Sequence, residues 1–257
     1  MPSSGPGNVQ RKINRSAVLN YIRRHGPISR PAISKQLGLS LPTVRKIADD
    51  LIAEKLIISS GFTGAGLGRP AEELIINGQQ YGIIGVDLGG SKSYGTITNL
   101  AGDILYEVYA EHRRERNGDA LGELMAFIER LMSLPGKGLP EIWGIGIGVP
   151  GITVRPDGVV VYAPSLEWRD LRLQEILSQR FGVRVLVDND VNLAALGEWE
   201  FGIGKGAQSL VYITIGTGIG AGIILDGQIY RGFNHAAGEI GHLIPGVDYL
   251  GRRYDQF

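Results

Sequence analysis

No cysteine occurs among the 257 residues, which excludes a disulfide framework and any thiolate metal site built from this chain. No run of about 18 apolar residues is present, so no transmembrane helix is expected. Met1–Gly7 is Pro/Gly/Ser-rich with no apolar stretch behind it, unlike a secretory signal peptide. A cytoplasmic protein is the expectation. Net charge is absent as well, since 26 Lys/Arg balance 26 Asp/Glu. That balance conceals a split. Residues 1–60 hold ten Lys/Arg against three Asp/Glu, a net of +7, and the remainder carries −7. A basic head on an acidic body points to a polyanion at one end. The length fits two domains.

In the head, residues 1–13 read as a disordered tail. From Asn14 a helical period places Ala17, Val18, Tyr21 and Ile22 on one face, and Gly26-Pro27 stops it. Ser29 caps a second helix carrying Ile33 and Leu37 and closed by Gly38; Ser40 caps a third, with Pro42 tolerated in its first turn. Val44, Ile47, Ala48 and Leu51 form the buried face of that third helix. Residues 14–77 therefore read as a winged helix-turn-helix, with Leu56-Ile57-Ile58 and Leu74-Ile75-Ile76 as the wing strands. The DNA-binding candidates are Ser40, Thr43, Arg45 and Lys46 on the third helix and Arg69 at the wing tip, placed for a minor groove. Arg45 suits a guanine edge or a phosphate, and Lys46 a phosphate. A packing module with a solvated basic face is the competing interpretation.

The body is rich in glycine, and 39 glycines in all let backbone approach a ligand closely. An apolar strand from Tyr81 runs into Asp87, Gly89, Gly90, Ser91 and Lys92, and two further strands follow around a turn at Asn99–Asp103. Bare amides and the Ser91 hydroxyl suit a phosphate, and the Asp87 carboxylate a hydrated Mg²⁺. Leu121–Leu134 is an amphipathic helix. The strand Trp143–Val149 ends at Gly151, a strand-end position where ligands sit in α/β sheets. The next strand ends at Asn189 and Asp190, followed by a helix from Leu193. Polar residues there bind a ligand or cap the helix, and Asp190 is the candidate catalytic base. Gly216, Thr217 and Gly218 form a second glycine turn, after which Asp226-Gly227 makes a tight hairpin.

With Ala236-Ala237-Gly238-Glu239-Ile240-Gly241-His242 added to these turns, the sequence resembles the ROK family of repressors and sugar kinases, over Asn14 to about Pro245. The resemblance implies an α/β fold: a winged helix-turn-helix, then an actin-like (ribonuclease H-like) sugar-kinase domain with its first lobe over 78–188 and a second over 189–257. It implies that Asp87, Gly89, Gly90, Ser91, Lys92, Gly216, Thr217 and Gly218 face phosphates, and that Gly151, Asn189, Asp190, Glu239 and His242 face a sugar. It also implies a zinc site of one histidine, at His242, and three cysteines. The first two should fall near Arg252 and Tyr254, so thiolate zinc is not expected. Ser165 stands where the family has a sugar-contacting asparagine. An actin-like second lobe needs more strands than precede Phe257. The lobe is therefore expected to be incomplete, leaving Ile213, Ile215, Ile223 and Leu225 uncovered at roughly 2 kcal/mol of burial each.

The expected function is a sugar-responsive repressor, acting as a dimer or higher homo-oligomer on operator DNA with a small sugar as effector and no membrane partner. The alternative is an ATP/Mg²⁺-dependent sugar kinase carrying a DNA-binding head.

Overall fold

The computed structural model describes residues 6–63, 71–112, 118–134, 140–216 and 218–242. Two compact units are formed. One comprises Met1–Ile83 with Ile97–Tyr106 and Ser133–Trp143; the other comprises Ile84–Thr96, Glu107–Met132 and Gly144–Phe257.

The first unit opens with α1 (Pro6–His25), followed by β1 (Ile28–Ser29), α2 (Arg30–Leu37), α3 (Leu41–Ala53), β2 (Ile57–Thr63) and β3 (Ala71–Ile76). The start of α1 corrects the expectation of a disordered tail through residue 13. Arg11 bonds Asp50 at 2.8 Å and Arg15 bonds Glu54, so side chains of α3 and of its C-cap hold the early turns of α1. These partners lie 39 residues away and leave no periodic trace in the sequence. Ser29 accepts from the Ala32 amide and Ser40 from the Thr43 amide, so both helices begin on a side-chain cap. α2 closes at Gly38 in the left-handed region. The sheet has the order β1-β3-β2, and β1 adds a third strand to the expected wing. Val18, Ile22, Ile33, Val44, Ile47 and Leu51 form the core against Leu56, Ile57 and Leu74, with Tyr81 and Leu100 packed on it. Each such side chain contributes about 1.5–3 kcal/mol when fully buried.

The second unit holds most of a five-stranded sheet ordered β11-β7-β4-β5-β6, built from β4 (Tyr81–Leu88), β5 (Lys92–Asn99), β6 (Ile104–Glu111), β7 (Glu141–Val149) and β11 (Arg184–Asn189). β7 and β11 run parallel, Val185 beside Ile145 through Asn189 beside Val149, so their carboxyl ends finish together. α4 (Ala120–Ser133) buries Leu124, Phe127, Ile128 and Leu131. It crosses β5 so closely that a Cβ on Gly95 would stand 2.6 Å from Leu131 Cδ1. β8 (Ile152–Val154), β9 (Val159–Ala163) and β10 (Trp168–Leu171) make a small sheet, and α5 (Leu173–Phe181) leads into β11. None of these four elements was expected.

α6 (Asp190–Glu200) starts directly at the end of β11, three residues before the predicted Leu193, because Asn189 caps it. β12 (Leu210–Ile215), β13 (Ile219–Leu225) and β14 (Gln228–Ile229) form the last sheet. Asp226 and Gly227, with φ of 50° and 74°, make the expected tight turn. α6 lies on β13, where a Cβ on Gly222 would meet Ala195 Cβ at 2.5 Å. On this hairpin Ile213, Ile215 and Leu225 are exposed, while Ile223 is half-buried.

Candidate functional site

Two groups of candidate site residues are found, one in each unit. In the first unit, α3 turns Val44, Ile47, Ala48 and Leu51 inward and leaves Arg45 and Lys46 exposed on the opposite side. The Ser40 and Thr43 hydroxyls lie 2.8 Å apart at its N-terminus, so the cap is itself part of the candidate DNA face. Arg45 lines a groove of about 580 Å³ with Arg30, Leu41, Asp49, Phe62 and Glu72. Arg30, at the start of α2, bonds Asp49 of α3 at 3.0 Å and also Glu72 of β3. The Arg30 hydrogen bond holds the Glu72 carboxyl below its usual range against the opposing effect of burial. That bridge sets the wing relative to α3, and neither it nor the exposed Phe62 was found from the sequence. No periodicity signals such pairings. Arg69 lies outside the described residues.

In the second unit, β4 delivers Asp87 to a tight turn. The Gly89 amide donates to the Lys92 carbonyl at 2.8 Å, and a Cβ on Gly89 would stand 2.8 Å from that oxygen. Only glycine fits there without displacement. Gly90 faces Ser165, whose Cβ would lie 3.3 Å from an added Cβ. Ser91 and Lys92 are exposed. Burial raises the Asp87 carboxyl above its usual range, and the Lys92 charge opposes the shift.

Asn189 and Asp190 sit at the β11–α6 junction. Asn189 accepts from the Asn192 amide at 2.9 Å and donates from Nδ2 to the Gly151 carbonyl at 3.0 Å and to Asp190 Oδ1 at 3.1 Å. Asp190 Oδ1 also accepts from the Val191 amide at 2.8 Å. Gly151 holds φ of 88°, and a Cβ there would stand 2.1 Å from the Tyr162 carbonyl, so this anchor requires glycine. Burial above all, opposed by the Val191 amide and joined by the charges of Asp87 and Glu239, raises Asp190 to about 6. The fold thus brings the predicted Asp87, Asp190 and Glu239 into one electrostatic cluster, with Asn189 and Gly151 bonded to it.

Glu239 follows Gly238, whose carbonyl accepts from the Ala221 amide of β13 at 2.8 Å. A Cβ on Gly238 would overlap the Ala221 carbonyl. The backbone of His242 ends a short 3-10 turn, and its side chain lies outside the described residues. Gly216 and Gly218 close the β12–β13 turn through an amide-to-carbonyl bond of 2.9 Å, and Thr217 lies outside the described residues. The structure also shows a support that was not expected. Asp188 is buried, accepts from the Asn189 amide at 2.9 Å and pairs with Arg231, while Arg155 Nε approaches to 3.9 Å. It fixes the strand end that presents Asn189 and Asp190.

Thiolate zinc does not fit a chain without cysteine, and among the described residues no three His, Asp or Glu side chains are grouped to hold a metal.

A family model described as "ROK family" matches residues 83–251, and one described as "Winged helix-turn-helix DNA-binding" matches residues 11–58. The chain is 38% identical to a putative xylose repressor of Caldicellulosiruptor sp. (strain Rt8B.4), over 91% of this chain and 59% of that protein. The solved structure of a ROK family transcriptional regulator, a homolog of the E. coli MLC protein, matches with a TM-score of 0.81 at 30% identity, covering 95% of this chain and 61% of that one. A ROK family glucokinase from Streptomyces griseus, solved with glucose and AMPPNP, matches at a TM-score of 0.58 and 32% identity, over 66% and 52%. The chain thus spans about three-fifths of the length of the repressor and the regulator. With the winged helix-turn-helix at its head and the ROK match over most of its body, the chain belongs to the ROK family.

Proposed function

We propose that the protein is a sugar-responsive DNA-binding transcription regulator of the repressor type. The observation that carries this is the pairing, in one chain, of a basic exposed α3 face with a cluster of hydrogen-bonding groups at Gly151, Asn189, Asp190 and Glu239. Hydroxyls both donate and accept, so a polyol needs a mixture of carboxylates and amides. The names of the relatives support the same reading. Arg45 would read or clamp operator DNA, Lys46 would hold a phosphate, and Ser40 and Thr43 would frame the α3 N-terminus against the backbone. Operator half-sites call for a symmetric homodimer. A sugar that binds one conformation better than the other would shift DNA affinity. No described helix is long and apolar enough to cross a membrane.

The second reading is an ATP-dependent sugar kinase with a DNA-binding head. Asp190, raised to about 6, favours it, because a general base works best with a pKa near the operating pH. In that reading Mg²⁺–ATP supplies the phosphoryl group. The turns at Asp87–Lys92 and Gly216–Gly218 would hold its phosphates, and Asp190 would take the proton of the attacking hydroxyl.

One experiment separates the readings. A duplex selected from a random pool by the protein is titrated at fixed salt with and without D-xylose, D-glucose and N-acetylglucosamine, and ADP release is followed in parallel. The repressor reading expects one sugar to change DNA affinity at least tenfold without ADP release. Sugar-dependent ADP release that is lost in Asp190→Asn, with DNA affinity indifferent to every sugar, overturns it.

A further inference from the structure

One row of polar residues beneath the Asp87–Lys92 turn takes no part in either reading. β5 alternates, with Lys92 exposed and Ser93 fully buried on the opposite face. The Ser93 Oγ lies 2.6 Å from His112 Nε2, and His112 Nδ1 lies 3.4 Å from a Glu123 carboxylate oxygen. The imidazole is almost wholly buried, while Glu123, in the first turn of α4, reaches solvent. The backbone amide of His112 donates to the Ser91 carbonyl at 2.8 Å. His112 therefore grips the chain on both sides of Lys92: by its amide at Ser91, and by its ring at Ser93. The turn is closed from within by the Gly89 amide on the Lys92 carbonyl.

Serine, histidine and carboxylate in a row suit nucleophilic catalysis where the hydroxyl is open to substrate. Here Ser93 is only 1% exposed, so the row has no access to one. A buried hydroxyl and imidazole are costly unless each is bonded, and an apolar pair would fill the same space between β5 and α4 without that demand. What an apolar pair would not do is fix the orientation of the turn.

We propose that His112 is a positioning residue for the Asp87–Lys92 turn. The Glu123 carboxylate, 3.4 Å from Nδ1, favours a proton on that nitrogen, which leaves Nε2 as the acceptor. Nε2 then accepts a hydrogen bond from the Ser93 hydroxyl, which locks the strand immediately after Lys92. The side chain of Lys92, whose charge opposes the rise of Asp87, is thereby held at the ligand turn. The proposal rests on the reading of that turn as part of the ligand site.

The test is amide hydrogen exchange of the segment 89–94 in the free protein, joined to ¹⁵N NMR of the histidine rings at pH 8. His112→Ala should speed exchange of the segment at least tenfold and leave α3 unchanged. Gln places its amide where Nε2 was, and Asn where Nδ1 was. His112→Gln should therefore restore slow exchange and His112→Asn should not. The His112 ring, assigned by the loss of its signals in His112→Gln, should show a protonated Nδ1 and a bare Nε2. Unchanged exchange in His112→Ala, equal behaviour of the Gln and Asn variants, or a bare Nδ1 each overturns the proposal. None of these readouts uses DNA or sugar, so the proposed function stands or falls separately, on the DNA titration.

Discussion

Asp190 shows how one residue can carry a pH dependence for both fold and ligand. Its folded-state pKa of about 6 exceeds the unfolded carboxyl value, so between about pH 4 and 6 the folded protein binds the extra proton. Stability therefore falls as pH rises through that window. Above it, the buried carboxylate costs on the order of 3 kcal/mol, following 1.36 kcal/mol per pKa unit. Asp190→Asn should remove this dependence and raise the melting temperature at pH 8, as measured by scanning calorimetry at both pH values. An unchanged difference between pH 4.5 and pH 8 in the variant would place the titrating group elsewhere. If the carboxylate accepts a sugar hydroxyl, sugar affinity should weaken below about pH 6 in the native protein alone. Arg45 and Lys46 differ at the same scale. Arg45→Ala should relax base preference at one operator position by about 1–3 kcal/mol. Lys46→Ala should weaken binding evenly across sequences and flatten the log-affinity against log-salt slope by about 1.

Among the elements, α3 depends most on its cap. Ser40 satisfies the Thr43 amide and its hydroxyl meets Thr43 Oγ1. Ser40→Ala should cost about 1 kcal/mol of unfolding free energy in urea, and should weaken DNA binding beyond that loss. A loss in stability with full DNA affinity would confine Ser40 to capping. The β7–β8 connection is held more tightly. Gly151→Ala would force a side chain into the left-handed region and onto the Tyr162 carbonyl. It should displace the carbonyl that holds Asn189, with sugar binding lost before the fold unfolds. Calorimetric titration beside a melting curve distinguishes the two. The caps, wing strands and glycine turns were legible because each depends on residues only a few positions apart. The first turns of α1 were not, because Arg11 and Arg15 find their partners on α3 and its C-cap. The β8-β9-β10 sheet was missed as well: its strands are only three to five residues long, too short for alternation to declare itself.

For the whole molecule, the proposed DNA contact rests on the +7 and −7 portions of the sequence. DNA affinity should fall steeply with salt, while sugar affinity should hardly respond. Absence of cysteine, the order of a helix-turn-helix before an α/β body, the two glycine turns and the signature around Glu239 were all determined by the sequence. They rest on composition, short-range periodicity and residue types with fixed conformational preferences. Only the tertiary structure decided which carboxylates share a field. Asp87, Asp190 and Glu239 come from a strand end, a helix start and a loop, and the shift of Asp190, caused first by burial and then by the two neighbouring charges, exists only in the folded chain. The same holds for Asp188 with Arg231, and for Ser93 with His112 and Glu123. Burial and charge act through space, and the distance between residues far apart along the chain is set by the packing of the elements that carry them.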